Sequence, residues 1–267
     1  MNVRNSTHAH GIHVVRDGPR EAPPVLLVHG SGASGASWGP VAGLLAGRHD
    51  VVRVDLPGCG QSPLAPSYAV PGQAARVAAV LDGLGLRQVV VAGHSSGGYV
   101  ATSLLEQRPD LVRSLALVST GPSLGALLPQ PWLIRALSAP PLGPLLWRVR
   151  SDALIRKGIS ATTARPVAIP DDAVAELRNI GYRTFREILR ENSAYVAERS
   201  VPARLAGLGR PVLVVFGAAD PRWNPRSAHE YDVVPGVRVE MLPGVGHIPL
   251  FEAPEPTSEL LLRFAAA

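Results

Sequence analysis

The residues best placed to do chemistry are in Gly93-His94-Ser95-Ser96-Gly97, directly after the apolar run at 88–92. A Gly-x-Ser-x-Gly between a strand and a helix forms a tight turn that lifts the serine hydroxyl above the carboxyl end of a sheet. The helix amino terminus beneath it offers unpaired N–H groups to a developing oxyanion. A serine hydroxyl becomes a nucleophile only with a base beside it, and the base needs an acid to orient it, in the order Ser, Asp or Glu, His. Of the eight histidines only His229 and His247 follow the motif. His229 falls within a helical pattern, whereas His247 ends the glycine-rich stretch Pro243-Gly244-Val245-Gly246, from which an imidazole can reach back to Ser95. Asp220, just past the run at 211–216, is the matching acid, since no Asp or Glu occurs between Leu111 and Ser151 to serve from the preceding strand. The loop His29-Gly30-Ser31-Gly32 supplies the rest: the backbone N–H groups of Ser31 and Ser96 are the expected oxyanion hole, with Gly32 as the alternative to Ser31.

Such a site needs strands that end together. Short β-branched runs at 24–29, 51–56, 88–92, 113–118, 211–216 and 236–242 alternate with helical patterns at 38–47, 70–83, 97–107, 226–233 and 255–265. Several runs are continuously apolar, as strands buried on both faces should be, so the pattern predicts a mostly parallel sheet with helices on both sides. Residues 10–17 add an antiparallel edge strand. Between Thr120 and Gly209 no strand run appears; Pro129, Pro140, Pro141 and Pro144 punctuate Leu- and Trp-bearing segments, and 171–199 reads as helix. The expected division is a core of 1–119 and 210–267 interrupted by a helical insertion, 120–209.

With 267 residues the chain can bury a sizeable core. No apolar run approaches the ~20 residues that span a bilayer, and the first residues lack the apolar stretch of a secretory leader. Cys59 is the single cysteine, which excludes an internal disulfide and cysteine-based metal clusters. The expectation is a cytoplasmic protein with no metal, no cofactor and no membrane partner. Net charge is +5, and residues 121–210 alone hold 13 Arg and Lys against 7 Asp and Glu. No nucleic-acid module or phosphate loop accompanies that excess, so no nucleic-acid partner is expected.

Taken in order, His29-Gly30, Asp55-Leu56-Pro57-Gly58-Cys59-Gly60-Gln61-Ser62, Gly93-His94-Ser95-Ser96-Gly97-Gly98, Asp220, Gly246-His247 and Phe251-Glu252-Ala253-Pro254-Glu255 resemble an α/β-hydrolase fold enzyme over essentially the whole length. The resemblance implies an eight-stranded, mostly parallel sheet with a helical cap inserted after strand six. Haloalkane dehalogenases and epoxide hydrolases carry aspartate at the position of Ser95, which disfavours their alkyl-enzyme chemistry here. The expected activity is hydrolysis of a carboxylic ester, thioester or lactone through an acyl-enzyme. The alternatives are carbon–carbon bond hydrolysis, cyclisation or acyl transfer on the same site, and ligand sensing in a receptor pocket.

Trp132, Trp147, Tyr182 and Phe185 in the insertion are the candidates to line a substrate pocket, with Tyr195 beside them. Arg148, Arg150, Arg156 and Lys157 form the densest basic cluster, a solvated face or a docking site for an anionic small-molecule substrate or an acidic acyl carrier. Cys59 has no base in its sequence context and is not expected to be catalytic.

Overall fold

The computed structural model describes residues 5–129, 132, 136–137 and 139–267; Met1–Arg4, read above for a leader, lie outside them. Eight strands, β1 (Asn5–Ala9), β2 (Ile12–Asp17), β3 (Pro24–Val28), β4 (Asp50–Asp55), β5 (Val89–His94), β6 (Val112–Val118), β7 (Val212–Gly217) and β8 (Arg238–Leu242), form one sheet in the order β1-β2-β4-β3-β5-β6-β7-β8. From β4 onward every pairing is parallel, and β1/β2 and β2/β4 are antiparallel.

The central strands sort their side chains by strict alternation. Leu26, Val28, Val52, Val54, Val91, Leu115, Leu117, Val214 and Phe216 face one way, onto α2 (Val70–Gly83) and α3 (Gly97–Gln107). Val25, Leu27, Val51, Val90, Ala92, Ala116, Val118, Leu213 and Val215 face the other, onto α1 (Gly39–Leu45) and, at the carboxyl terminus, α9 (Pro254–Ala266). Burial on both faces is why these strands read as unbroken apolar runs.

Three expectations need correction. The segment at 10–17 gives one antiparallel strand, β2, as expected, but not the edge: β2 is the inner arm of a hairpin with β1, and His10 and Gly11, both at positive φ, make the two-residue loop between Ala9 and Ile12. The outer arm, Asn-Ser-Thr-His-Ala, carries too little apolar character to announce a strand. The pattern at 226–233 forms a 3-10 helix, Pro225–Val233. The stretch at 171–199 is two helices, α6 (Asp171–Asn179) and α7 (Tyr182–Glu198), broken at Ile180-Gly181. The break is held by other groups: the Ile180 carbonyl accepts from Trp147 Nε1 at 2.9 Å and from Arg150, which also takes the carbonyls of Leu177 and Arg178.

Between β6 and β7 the described residues also form α4 (Leu142–Val149), α5 (Asp152–Ser160) and α8 (Val201–Leu205). Of the helices between β6 and β7, α6 and α7 close over the loop that follows β3, through Leu177 and Phe185 on Gly32 and Asn192 on Ser31, while α8 packs on α3 in the core.

Candidate active site

Ser95 lies at the junction of β5 and α3 with φ +52°, a left-handed conformation that a side chain enters at a cost. Its N–H donates to Val118 O at 2.8 Å and its carbonyl accepts from Thr120 Oγ1 at 3.0 Å, so the end of β6 and the segment after it hold the strained residue. The flanking glycines are steric requirements. A Cβ on Gly97 would lie 2.4 Å from Val28 O, and one on Gly93 would lie 2.6 Å from the Gly97 carbonyl.

His247 Nε2 is 3.1 Å from Ser95 Oγ, and His247 Nδ1 is 2.8 Å from Asp220 Oδ2. The other Asp220 oxygen accepts from the N–H groups of Arg222 at 2.7 Å and Trp223 at 3.1 Å, which fixes the buried carboxylate. The imidazole therefore has one nitrogen for the acid and one for the serine. His229 is exposed and pairs with Asp232 at 3.2 Å, away from this array.

Three residues to which the sequence assigned no role hold His247 in place. The buried Glu252 accepts from the N–H groups of Gly246 at 2.8 Å and Ile248 at 3.1 Å, on either side of the histidine, and from Ala164 N–H at 2.8 Å. Thr162 in the insertion accepts from His247 N–H at 2.9 Å. His94 donates from Nε2 to the His247 carbonyl at 2.9 Å; burial, reinforced by the neighbouring His247, pushes the His94 imidazole down to about 3, so it is a neutral donor at any working pH. The one signal in the sequence was an acidic residue five positions after the histidine.

On the opposite side of Ser95 the two expected oxyanion residues meet: Ser31 Oγ and Ser96 Oγ are 2.8 Å apart, and Asn192 on α7 donates to Ser31 Oγ at 3.0 Å. Among the described residues neither the Ser31 nor the Ser96 N–H has a protein acceptor. Burial pushes the thiol of Cys59 up to about 12, and it is inert. The Ser31 loop is anchored by His29, which accepts the Leu56 N–H at Nε2 and donates from Nδ1 to Gly30 O, both at 2.8 Å.

The four aromatics part company. Trp132 is 77% exposed. Trp147 stacks on Phe185 at 4.8 Å and meets Tyr182 at 6.1 Å, so these rings form packing within the helical insertion. Phe185, with Leu177, also closes over Gly32 and is the one that touches the site loop. Tyr195 is buried beneath, donating to Glu106 at 2.8 Å.

Beside the site, a cavity of about 420 Å³ separates β2 from α6 and is lined by His13, Ser34, Asp55 and Glu176. Glu176 accepts from Ser34 through Oε1, and its buried Oε2 has no partner among the described residues. Burial, with the charges of Asp55 and Asp172 adding to it, raises its carboxyl to about 7. Below pH ~4.5 the group is neutral folded or unfolded; as pH rises toward 7 only the unfolded chain sheds the proton, so stability falls and then levels off. Because Glu176 is only partly buried, solvent screening reduces the full linkage value to about 1–2 kcal/mol. Glu176→Gln should therefore melt close to wild type at pH 5 and several degrees above it at pH 8; parallel melting curves across that range would contradict this account.

A profile of the alpha/beta hydrolase family matches residues 25–260. The chain is 29% identical over 91% of its length to the pimeloyl-[acyl-carrier protein] methyl ester esterase of Aeromonas hydrophila, covering 96% of that protein. It is 27% identical over 97% of its length to lipase 1 of Psychrobacter immobilis, covering 82% of it. Among solved structures, a bacterial membrane phospholipase A superposes with a TM-score of 0.80 at 26% identity, over 98% of this chain and 85% of that one.

Proposed function

We propose, from the premise that the chain belongs to the alpha/beta hydrolase family and is a hydrolase of the ester-cleaving kind, that it cleaves a carboxylic ester, thioester or lactone through an acyl-enzyme on Ser95. The observation that carries this reading is the array Ser95 Oγ, His247 Nε2, His247 Nδ1, Asp220 Oδ2 at 3.1 and 2.8 Å. His247 takes the Ser95 proton as Oγ attacks the carbonyl carbon. The tetrahedral oxyanion is received by the N–H groups of Ser31 and Ser96, each such donor being worth about 3–4 kcal/mol at the barrier. His247 then returns the proton to the departing alcohol or thiol, and a water repeats the sequence to release the acid. Asp220 keeps the proton on Nδ1 and stabilises the imidazolium that forms.

The two similar proteins named above as esterase and lipase support the ester class, and neither fixes the acyl chain. Steady-state turnover of short p-nitrophenyl esters, with a pre-steady-state burst, tests the reading. Sustained turnover with up to one equivalent of nitrophenol released in the burst is the expected result. Saturable binding of these esters without turnover would replace the enzyme reading with a receptor pocket, and turnover confined to carbon–carbon substrates would move it to that chemistry.

A further inference from the structure

We propose that α4 is a docking surface for an anionic lipid bilayer. Leu142, Leu145, Leu146 and Val149 occupy positions i, i+3, i+4 and i+7, the spacing of one apolar stripe. A surface helix ordinarily turns such a stripe to the core. Here the inward face is Gly143 and Trp147, the latter stacked on Phe185, and the four aliphatic side chains are 50%, 60%, 43% and 67% exposed. Leu154 at the start of α5 is also exposed, at 59%. Elsewhere among the described residues the exposed aliphatic side chains, Leu44, Leu64, Leu124, Leu127, Leu137 and Val233, are spread over other segments in ones and twos, as is ordinary. Four on one short helix are not, and apolar patches of this kind mark interaction sites.

Charge selects the occupant. Asp152, Asp171, Glu187, Glu191 and Glu198 in the insertion are each paired with an arginine, by Arg178, Arg156, Arg190 and Arg204. Part of the basic cluster is likewise consumed: Arg150 lies over the Trp147 ring at 3.9 Å and caps the end of α6. Among the described residues the exposed Arg148, Lys157, Arg183 and Arg186 have no ion-pair partner. Of these free cations Arg148 lies on the same helix as the stripe, Lys157 on α5, the next helix in the chain, and Arg183 and Arg186 on α7, against which α4 packs through Trp147 and Phe185. Two copies meeting through this face would bring like charges together. An acidic protein would satisfy the cations and leave a featureless aliphatic stripe to cover. A leaflet with anionic headgroups satisfies both, apolar side chains entering the acyl boundary and cations at the headgroups. The sequence expectation of no membrane partner rested on the absence of a spanning run. No helix among the described residues is long and apolar enough to cross a membrane, and a helix lying in the interface needs no such length.

Co-sedimentation of the full chain with vesicles tests the proposal. Wild type should pellet with phosphatidylcholine vesicles containing about a third phosphatidylglycerol, far less with phosphatidylcholine alone, and less at 0.5 M than at 0.1 M salt. The double variant Leu145→Glu with Val149→Glu and, separately, the double variant Arg148→Glu with Lys157→Glu should each weaken vesicle binding about tenfold or more. Both should retain the wild-type melting temperature and turnover of a water-soluble ester, which separates lost docking from lost folding. Three results would overturn the proposal: wild type that ignores anionic vesicles, wild type that binds an acidic carrier protein but no vesicle, or a wild-type dimer that Leu145→Glu with Val149→Glu converts to monomer. Because the readout is sedimentation, failure of the ester chemistry would leave its result intact.

Discussion

Ser95→Ala is expected to lose all fluorophosphonate labelling and to hydrolyse a neutral ester at least ~10⁴-fold more slowly than wild type, with an unchanged melting temperature. The size follows from what remains. The N–H groups of Ser31 and Ser96 and the binding surface still act on the substrate, while the covalent route, which splits one hard step into two easier ones, is gone. His247→Ala should be of similar severity, because Ser95 Oγ then loses the acceptor 3.1 Å away. His229→Ala should be nearly neutral, as that exposed ring touches only Asp232. Activity of Ser95→Ala near the wild-type level would eliminate the serine mechanism. Inactivity of His229→Ala in place of His247→Ala would move the base.

The array was readable before the structure because each member sits at the end of a strand whose local signal is strong. Ser95 follows β5, Asp220 follows β7 and His247 follows β8, so sequence order and strand ends together brought them to one edge. What supports them was not readable. Glu252 acts on His247 through backbone N–H groups, Asn192 reaches Ser31 across 161 positions, and Glu176 meets Ser34 across 142. Such partnerships depend on how the insertion seats on the core, for which the residue types carry no local pattern. The same gap explains Trp132 and α4: helical periodicity reveals that a stripe exists but not which way it faces.

Residue types at hydrogen-bond distances are also insufficient by themselves. His13 lies 2.6 Å from Ser6 Oγ and 2.8 Å from Asp55 Oδ2, nearly the same spacing as the array at Ser95. Ser6, however, pairs with Val15 in the β1–β2 ladder. It sits on regular strand backbone rather than on a positive-φ turn above a helix amino terminus. The difference lies in the backbone around the serine: at Ser95 the glycine turn exposes the hydroxyl and sets N–H groups beside it.

Asp220→Asn separates the role of the acid from its shape, and a loss of about 10⁴-fold in kcat at neutral pH is expected from a nearly isosteric change. In wild type one carboxylate oxygen accepts from Arg222 and Trp223 N–H, and the other accepts from His247 Nδ1–H. An asparagine can place its carbonyl in only one of those positions. With the carbonyl on the two backbone N–H groups, its amide hydrogens face Nδ1; the imidazole must then carry its proton on Nε2, toward Ser95, and has no lone pair to take the serine proton. The flipped amide would restore the tautomer but set its NH₂ against two N–H donors, leaving buried donors unsatisfied at about 1–3 kcal/mol each. The first arrangement is therefore favoured, and the variant should fold normally, bind substrate with little change in KM and turn over slowly. Asp220→Ala should differ by losing thermal stability as well, since the Arg222 and Trp223 N–H groups then have no acceptor. A drop of less than about tenfold in Asp220→Asn would mean that His247 is oriented by its Thr162, His94 and Glu252 contacts without the carboxylate.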